Sequence, residues 1–269
     1  MPELPDVEGF RRRAEAVVGG TVETARVFDA RLLADGLTAN ALDAALAGHR
    51  LTETRRHGKH LFLPLSDNGV LVLHFGMSGA LATVAGNTPL PPHTRVAVDC
   101  ADRPALAVIS RRLLGGVAVA ASAEAWIDAH GLGPDPLDAA FDRATFKARL
   151  GGRRGQVKAA LMDQGLAAGI GNIFADEILF RAGVHPRCRA DRLDDAALDR
   201  LYDAVRAALE AAIEAGAGQD DAFPATMPAG SLLPHRVEGG TCPVCGTPLT
   251  TLKAAGRTAW LCPRCQPAP

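Results

Sequence analysis

Two Cys-x2-Cys pairs near the end of the chain constrain its fold more than any other sequence feature. Cys242 and Cys245 form one pair, Cys262 and Cys265 form the other, and 16 residues separate the pairs. This spacing is typical of a tetrahedral zinc site, with each pair in a tight knuckle and the chain between them returning as a β-hairpin. Because four sulfur ligands leave no open position for water, we predict one structural Zn²⁺.

Disulfides are the alternative use of six cysteines in a chain of 269 residues. They are typical of small secreted proteins, whereas the first residues here lack the basic and apolar regions of a secretory signal. No stretch approaches the roughly 20 apolar residues of a membrane span. We therefore expect a cytoplasmic protein without membrane contact, associated with the nucleoid if its source is bacterial. Cys100 and Cys188 are interpreted as small buried apolar residues and receive no role.

The charge of the chain is more informative in its distribution than in its sum. A net charge of -1 gives no support for a nucleic-acid partner. Taken singly, most charge clusters are ordinary solvated surface. The basic clusters nevertheless allow one basic face, and they lie at residues 11–13, 55–60, 111–112 and 149–158 and near Arg257, whereas residues 191–221 are strongly acidic.

The N-terminal half has the pattern of a β-rich domain with flanking helices. Pro5 and Asp6 precede residues 7–18, whose apolar residues recur at helical spacing and end at two glycines. From Thr21 to Val119 the chain consists of short runs rich in Val, Leu and Thr between Gly, Pro and Asp turns, which predicts two packed sheets. We assign residues 1–131 to this domain.

The pattern then becomes helical after a linker rich in proline and glycine at residues 132–137. Asp194 predicts the cap of a helix with an apolar stripe that stops at Gly216. Residues 217–230 are interpreted as a flexible connection into the cysteine-rich tail. The expected fold class is thus α+β and multidomain, with a helical domain at 132–225 and a zinc module at 233–269.

The start of the chain suggests a nucleophile. Initiator methionine is generally removed before proline, which would leave the secondary amine of Pro2 at the terminus. An α-amine has a pKa of about 8, so a useful fraction is unprotonated at neutral pH. Its attack on a sugar C1′ gives an iminium ion that acts as an electron sink. The neighbouring Glu3 is a candidate general acid and base.

The hairpin between the cysteine pairs carries a candidate phosphate contact. Gly256 predicts a turn there, and Arg257 would project from the hairpin tip. An arginine at such a position is able to fork onto a phosphate, although an exposed arginine is more often only solvated.

Four segments together resemble the formamidopyrimidine-DNA glycosylase and endonuclease VIII family over essentially the whole chain. They are Met-Pro-Glu-Leu-Pro-Asp-Val-Glu at residues 1–8, His-Phe-Gly-Met-Ser-Gly at 74–79, the stretch from Leu161-Met162-Asp163-Gln164 through Gly-Ile-Gly-Asn-Ile-Phe to Leu179, and the zinc tail. The resemblance implies an N-terminal β-sandwich, a helix-two-turn-helix domain, a zinc-finger β-hairpin and damaged double-stranded DNA bound by a monomer in the cleft between domains.

The resemblance also implies roles for individual residues. Pro2 matches the Schiff-base nucleophile, Glu3 the general acid, and Lys59 a lysine that contacts phosphate and assists catalysis. Asn172 and Arg257 match phosphate contacts, the former in a glycine-rich turn that would expose backbone N–H groups. The remaining assignments are Met77, which matches the residue that fills the space left by a flipped nucleotide, and Lys158, a candidate DNA contact from the basic cluster at 149–158.

One loop departs from the family pattern. Where the formamidopyrimidine branch commonly reads Asp-Pro-Arg-Arg-Phe-Gly, this chain reads Ile-Ser-Arg-Arg-Leu-Leu-Gly at residues 109–115. We assign Arg112 to the orphaned base and Leu113 to a smaller wedge, with a register that the sequence leaves open by one residue. Residues 216–230 likewise lack the form expected of a loop that covers a flipped 8-oxoguanine.

The function predicted from the sequence is base excision with abasic-site lyase activity by β- or β,δ-elimination. Oxidised purines and formamidopyrimidines are favoured as substrates. Oxidised pyrimidines, hydantoins or bulky adducts, as in the endonuclease VIII branch, are the alternative. A catalytically silent relative that only binds damage is a second hypothesis, and a zinc-ribbon protein that binds protein or RNA is a third.

Overall fold

A computed structural model describes residues 2–67 and 69–269 of the chain. The contacts divide the chain into two compact units. The N-terminal unit comprises Pro2 and residues 6–131, and the C-terminal unit comprises residues 3–5 and 132–269. Met1, whose removal the sequence predicts, lies outside the described residues. Within the described part of the chain, no helix is both long and apolar enough to cross a bilayer.

The N-terminal unit contains two antiparallel four-stranded sheets, in the orders β1-β6-β7-β5 and β2-β3-β4-β8. The first helix of the chain, most of which belongs to this unit, begins at Leu4 rather than at residue 7, because a proline is tolerated in the first helical turn, where an N–H has no intrahelical partner. The elements are α1 (Leu4–Ala14), β1 (Val22–Val27), α2 (Ala39–Leu46), β2 (Arg55–His57), β3 (His60–Pro64), β4 (Val70–His74), β5 (Gly79–Val84), β6 (Thr94–Cys100), β7 (Ala105–Ser110), β8 (Gly116–Ala120) and α3 (Ala123–Ala129).

The core of this unit lies between the two sheets, as the sequence predicts for a β-sandwich. Leu61 and Leu63 of β3 face this core, while Phe62 between them belongs to a smaller cluster with Ala123 of α3. Because both faces of the second sheet are covered, the central strands read as continuous apolar runs instead of alternating with polar residues.

The C-terminal unit is helical and ends in a two-stranded hairpin. Its central helix is α6, which is buried along nearly its whole length and packs against α7. Asp194 caps α7 by accepting the N–H of Ala197, which confirms the predicted helix start. The elements are α4 (Arg143–Leu150), α5 (Val157–Leu161), α6 (Asn172–Ala182), α7 (Asp195–Glu214), β9 (Thr250–Ala254) and β10 (Arg257–Leu261).

Candidate active site and metal centre

The four paired cysteines converge on one point in the C-terminal unit. Their sulfur atoms all lie within 4.8 Å of one another. Individual Sγ–Sγ distances are 3.8 Å for Cys242 and Cys265, 3.5 Å for Cys245 and Cys262, and 3.6 Å for Cys245 and Cys265. Sulfurs placed about 2.3 Å from one ion at the corners of a tetrahedron lie about 3.8 Å apart. The donor set therefore fits one structural Zn²⁺.

The hairpin between the cysteine pairs turns through two residues. Ala255 and Gly256 have φ values of 51° and 70°, which is the left-handed conformation that a type I′ turn requires at both central positions. The predicted turn at Gly256 is thus confirmed. Arg257 follows it directly, is exposed, and forms no ion pair with any residue that the structure describes. Its guanidinium is available to an anionic partner.

Glu3 lies at the start of α6, within the C-terminal unit. Its side chain is 0% exposed. The carboxylate accepts the backbone N–H groups of Gly171 at 2.8 Å, Ile173 at 2.8 Å and Phe174 at 3.1 Å. An anionic group at a helix N-terminus satisfies donors that have no intrahelical partner and interacts favourably with the helix dipole. Glu3 is therefore held in one orientation by the backbone of a segment about 170 residues further along the chain.

This arrangement corrects one prediction about the Gly-Ile-Gly-Asn turn. The backbone N–H groups that the sequence assigns to a phosphate donate to Glu3 instead. The side chain of Asn172 in the same turn is half-buried, and its buried Oδ1 has no hydrogen-bond partner among the described residues. Gln164 braces the same turn, because its side-chain amide donates to the Ile170 carbonyl and accepts from the Gly169 N–H.

Gly171 is in direct contact with the Glu3 carboxylate. A Cβ atom built on this glycine would lie 2.4 Å from the carboxyl carbon of Glu3 and 2.4 Å from Oε1. Its backbone, with φ of -124° and ψ of -160°, is extended and open to any residue. The glycine is thus required by lack of space for a side chain and not by backbone conformation.

Lys158 is placed differently from the sequence prediction. Its side chain is 0% exposed, and its Nζ donates to Asp176 Oδ1 at 2.7 Å and to the Thr258 carbonyl at 3.1 Å. Burial lowers the pKa of Lys158 and raises the pKa of Asp176, while the attraction between the two charges opposes both shifts. The structure gives Lys158 an internal role, since no part of its ammonium is exposed for a direct contact with DNA.

In the N-terminal unit, Lys59 lies at the tip of the hairpin that joins β2 and β3. His60 follows it and pairs across the sheet with His74, with ring centroids 4.9 Å apart. Burial lowers the pKa of His74, and the positive charge of Lys59 contributes to the same shift. The charge of Lys59 therefore acts on His74, which stands three residues before Met77.

The half-buried His60 makes the stability of the chain depend on pH. Burial, together with electrostatic repulsion from neighbouring groups of which His74 is the largest contributor, lowers the pKa of His60 to about 3. Between pH 6.5 and 3 the unfolded chain binds a proton that the folded chain does not, so stability present above pH 6.5 is lost as the pH falls. We expect about 2 kcal/mol of lost unfolding free energy between pH 6.5 and 5 from this group.

Urea unfolding at several pH values measures this effect. His60→Gln is expected to flatten the pH dependence, whereas His93→Asn, at an exposed position, is expected to retain the wild-type slope. Equal slopes in the wild type and His60→Gln would contradict the assignment.

Met77 and the Arg111–Leu114 loop lie side by side. Met77 is 40% exposed in the turn between β4 and β5. A Cβ on the preceding Gly76 would lie 2.2 Å from the Leu114 carbonyl oxygen, so the two loops touch through their backbones. The structure thus brings together two segments that the sequence assigns separately to the space left by a flipped nucleotide.

The side chains of the second loop diverge. Arg112 is exposed, whereas Leu113 is half-buried and packs against the sandwich core. Leu113 adopts a φ of 52°, and its N–H donates to Ser110 Oγ. The next residue, Leu114, is 49% exposed. Of the two leucines, Leu114 therefore presents the apolar surface, one position after the predicted wedge.

Pro2 is half-buried and belongs to the N-terminal unit, whereas Glu3, joined to it by a peptide bond, belongs to the C-terminal unit. The predicted site residues accordingly divide into two groups. The N-terminal unit carries Pro2, Lys59, Met77, Arg112 and Leu113, and the C-terminal unit carries Glu3, Lys158, Asn172, Arg257 and the four zinc ligands.

Comparisons with known proteins match all three regions of the chain. Residues 1–117 match the formamidopyrimidine-DNA glycosylase N-terminal domain, residues 132–223 the formamidopyrimidine-DNA glycosylase H2TH domain, and residues 239–268 a zinc finger found in FPG and IleRS. The chain belongs to the formamidopyrimidine-DNA glycosylase family. This membership confirms the expected enzyme class, a DNA glycosylase with abasic-site lyase activity, and the single structural zinc.

Individual relatives are similar to this chain over its full length. A formamidopyrimidine-DNA glycosylase of Nocardioides sp. is 37% identical, with 100% of this chain and 95% of the relative covered. That of Halorhodospira halophila is 38% identical, with 99% and 100% covered. The Lactococcus lactis enzyme, solved non-covalently bound to DNA containing an abasic site, has a TM-score of 0.87 at 26% identity, with 99% and 100% covered. A MutM structure in complex with DNA containing carbocyclic 8-oxo-G has a TM-score of 0.88 at 26% identity, with the same coverage.

Two features of the site in this chain were not predicted from the sequence. Asp176 and Arg236 complete the buried charge cluster around Lys158, and Gly171 sets the space around Glu3. The Gly-Ile-Gly-Asn motif could have indicated the second feature, the close contact between Gly171 and Glu3. Nothing in the local pattern around Asp176 indicated burial of its charge.

Proposed function

We propose that this enzyme removes oxidised purines and formamidopyrimidines from double-stranded DNA and then cleaves the abasic site, using the amine of Pro2 as nucleophile. The observation that carries this proposal is the anchoring of Glu3, the residue that follows the proline in the chain, whose carboxylate is held by three backbone N–H groups. A catalytic carboxylate must be pre-positioned to contribute to proton transfer. We place the enzyme in the cytoplasm, with the nucleoid as its working location if the source is bacterial.

The proposed chemistry uses residues of this chain only. The Pro2 nitrogen forms a bond to C1′ while the glycosidic bond breaks, and the base leaves with a proton that Glu3 supplies or relays. The sugar ring then opens: the C1′–O4′ bond breaks, O4′ takes up a proton, and C1′ becomes the carbon of an iminium ion. The iminium withdraws electrons from C2′, so a C2′ proton is lost and the bond from C3′ to the phosphate oxygen breaks. Water then hydrolyses the iminium and regenerates the amine.

The proposed contacts with DNA use the residues that the family resemblance assigns to phosphates and to the space left by the extruded nucleotide. Arg257, Asn172 and Lys59 would bind phosphates around the lesion, the first through an exposed guanidinium that has no ion pair among the described residues and the second through the N–H groups of its half-buried amide. Met77 and Arg112, on adjoining loops, would occupy the space left by the extruded nucleotide together with a leucine of the second loop.

The assignment to oxidised purines rests on the relatives. The curated relatives are named formamidopyrimidine-DNA glycosylases, and solved neighbours hold DNA with 8-oxo-G or FAPY-dG. The leucines at 113 and 114 depart from the family pattern in the loop that would face the orphaned base, so the opposite-base preference is a property to be measured on all four pairings.

Borohydride trapping on DNA with an abasic site tests the nucleophile. The mature chain is expected to give a covalent adduct, and peptide mapping is expected to place it on Pro2. A matched variant with Gly-Ser added before Pro2 has an amide nitrogen in place of the amine and is expected to bind the same DNA without an adduct. An adduct on Lys59 would overturn the assignment, and no adduct at all would favour the silent damage-binding relative.

A further inference from the structure

Strand β10, which begins with Arg257, is held along one edge by two side chains of the helical region. Lys158 Nζ donates to the Thr258 carbonyl at 3.1 Å, and Asp176 Oδ2 accepts the Trp260 N–H at 3.1 Å. In an antiparallel ribbon, main-chain groups of alternate residues point away from the partner strand. Thr258 and Trp260 are two residues apart, so the same two side chains satisfy the edge that the hairpin leaves unpaired.

A third contact fixes the turn. The Ala255 N–H donates to Gln156 Oε1 at 2.8 Å, and Gln156 is the residue that precedes α5. Arg257 is therefore flanked by anchored main-chain groups at residues 255, 258 and 260. Its backbone has little freedom to slide or rotate relative to α5 and α6.

The side chains that anchor β10 belong to a cluster of buried charged groups. Asp176 accepts hydrogen bonds from Lys158 at 2.7 Å and from Arg236 at 2.9 Å, and the exposed fractions of the Lys158, Asp176 and Arg236 side chains are 0%, 0% and 12%. One carboxylate thus faces two cations. Buried ion pairs of this kind contribute little net stability compared with apolar packing, and their best attested use is to fix register.

We propose that Asp176, together with Lys158, is a positioning residue for Arg257. The pair sets the register of β10 on the helical region, so the guanidinium is presented at a fixed place and is ordered before DNA arrives. This inference rests on the proposed phosphate contact of Arg257. Preordering a side chain removes part of the entropic cost of binding, which is how such a residue raises affinity without touching the ligand.

Asp176→Asn tests the proposal on the full-length, zinc-loaded protein. The amide lacks the charge that balances Lys158 and Arg236, so the hold on β10 weakens. Affinity for DNA with a tetrahydrofuran abasic analogue is expected to fall about tenfold, within the range for losing one hydrogen bond to a charged group. The slope of log K against log salt is expected to shrink by about 0.9, the amount for one phosphate contact. Arg257→Ala should give the same two changes, and the double variant should bind no worse than Arg257→Ala alone.

Glu177→Gln is the matched control. This neighbouring carboxylate is also 0% exposed, but it accepts from Arg181 and from the Leu233 N–H and makes no hydrogen bond to the hairpin. Glu177→Gln is expected to lower the thermal stability of the protein, while the slope of log K against log salt stays at the wild-type value. Hydrogen exchange of residues 255–261 should accelerate in Asp176→Asn and stay at the wild-type rate in both Glu177→Gln and Arg257→Ala.

The outcomes separate the inference from the function on which it rests. If Asp176→Asn weakens binding equally in the wild-type and Arg257→Ala backgrounds, or leaves exchange at residues 255–261 unchanged, the positioning role is overturned. If Arg257→Ala binds like the wild type, the phosphate contact fails, and the exchange data alone decide whether the anchor exists. Should Asp176→Asn not fold, Lys158→Met removes the Thr258 contact while the Asp176–Arg236 pair remains, and the same pattern is required of it.

Discussion

Replacing Gly171 by alanine is expected to lower the rate of base excision by at least about a hundredfold, the lower range for losing one positioned proton-transfer group. The new methyl group would lie 2.4 Å from the Glu3 carboxyl carbon, so the carboxylate must leave its place at the start of α6. The alanine backbone itself is unstrained at this φ and ψ. Single-turnover excision of 8-oxoguanine from duplex DNA measures the effect.

Two further variants make the result specific. Gly152→Ala adds a methyl group in the same unit where no atom lies within 4 Å, and it is expected to retain the wild-type rate. Glu3→Gln should show a loss similar to that of Gly171→Ala, and the combination should add little, because both act on one carboxylate. An excision rate for folded Gly171→Ala within twofold of the wild type would refute the role assigned to this contact.

Cys262→Ser is expected to remove the zinc and with it the order of the hairpin. Cys262 is 0% exposed and contributes one of the four converging sulfurs. Structural zinc sites supply about 10 kcal/mol or more of folding free energy to small modules, so residues 239–268 are expected to unfold while the sandwich of the N-terminal unit and the helices of the C-terminal unit remain folded. Affinity for abasic-site DNA should fall about tenfold to a hundredfold through the loss of Arg257.

Metal analysis and hydrogen exchange together check this expectation. Zinc content should fall from one ion per chain to none, and rapid exchange should be confined to the hairpin module. Cys188→Ala changes a cysteine of the same unit outside the cluster and is expected to keep its zinc and its affinity. Retention of zinc by Cys262→Ser, or unchanged DNA affinity after its loss, would contradict the proposed role of the module.

The parts of the site that could be predicted from sequence are those whose physics is local. Cysteine spacing specifies a tetrahedral metal site within 24 residues, and Gly256 specifies the turn that carries Arg257. Alternation and apolar runs predict the sandwich because side-chain direction in a strand has a period of two. These features need no knowledge of distant residues.

The parts that could not be predicted depend on contacts across the chain. Lys158 looked like a surface cation because it ends a basic cluster, and only the position of Asp176, 18 residues later, makes its burial possible. Glu3 caps a helix that begins at Asn172. In the loop at 111–114, the direction of each side chain depends on Leu113, whose left-handed backbone conformation no local rule favours.

Helix α6 has a consequence for how this chain tolerates changes in length. The backbone that holds Glu3 begins at Gly171, and Asp176, which holds β10, follows five residues later. The group that binds Glu3 and the group that binds β10 are thus separated by about 7.5 Å of helical rise. Insertion of a single residue between them would rotate one group by about 100° around the helix axis relative to the other. Among homologues, α6 should therefore accept substitutions but not insertions or deletions. The predicted flexible connection at 217–230 is only partly so, because Ala217 and Met227 are buried in the helical core, and variation in length is expected at the exposed turn of residues 219–222.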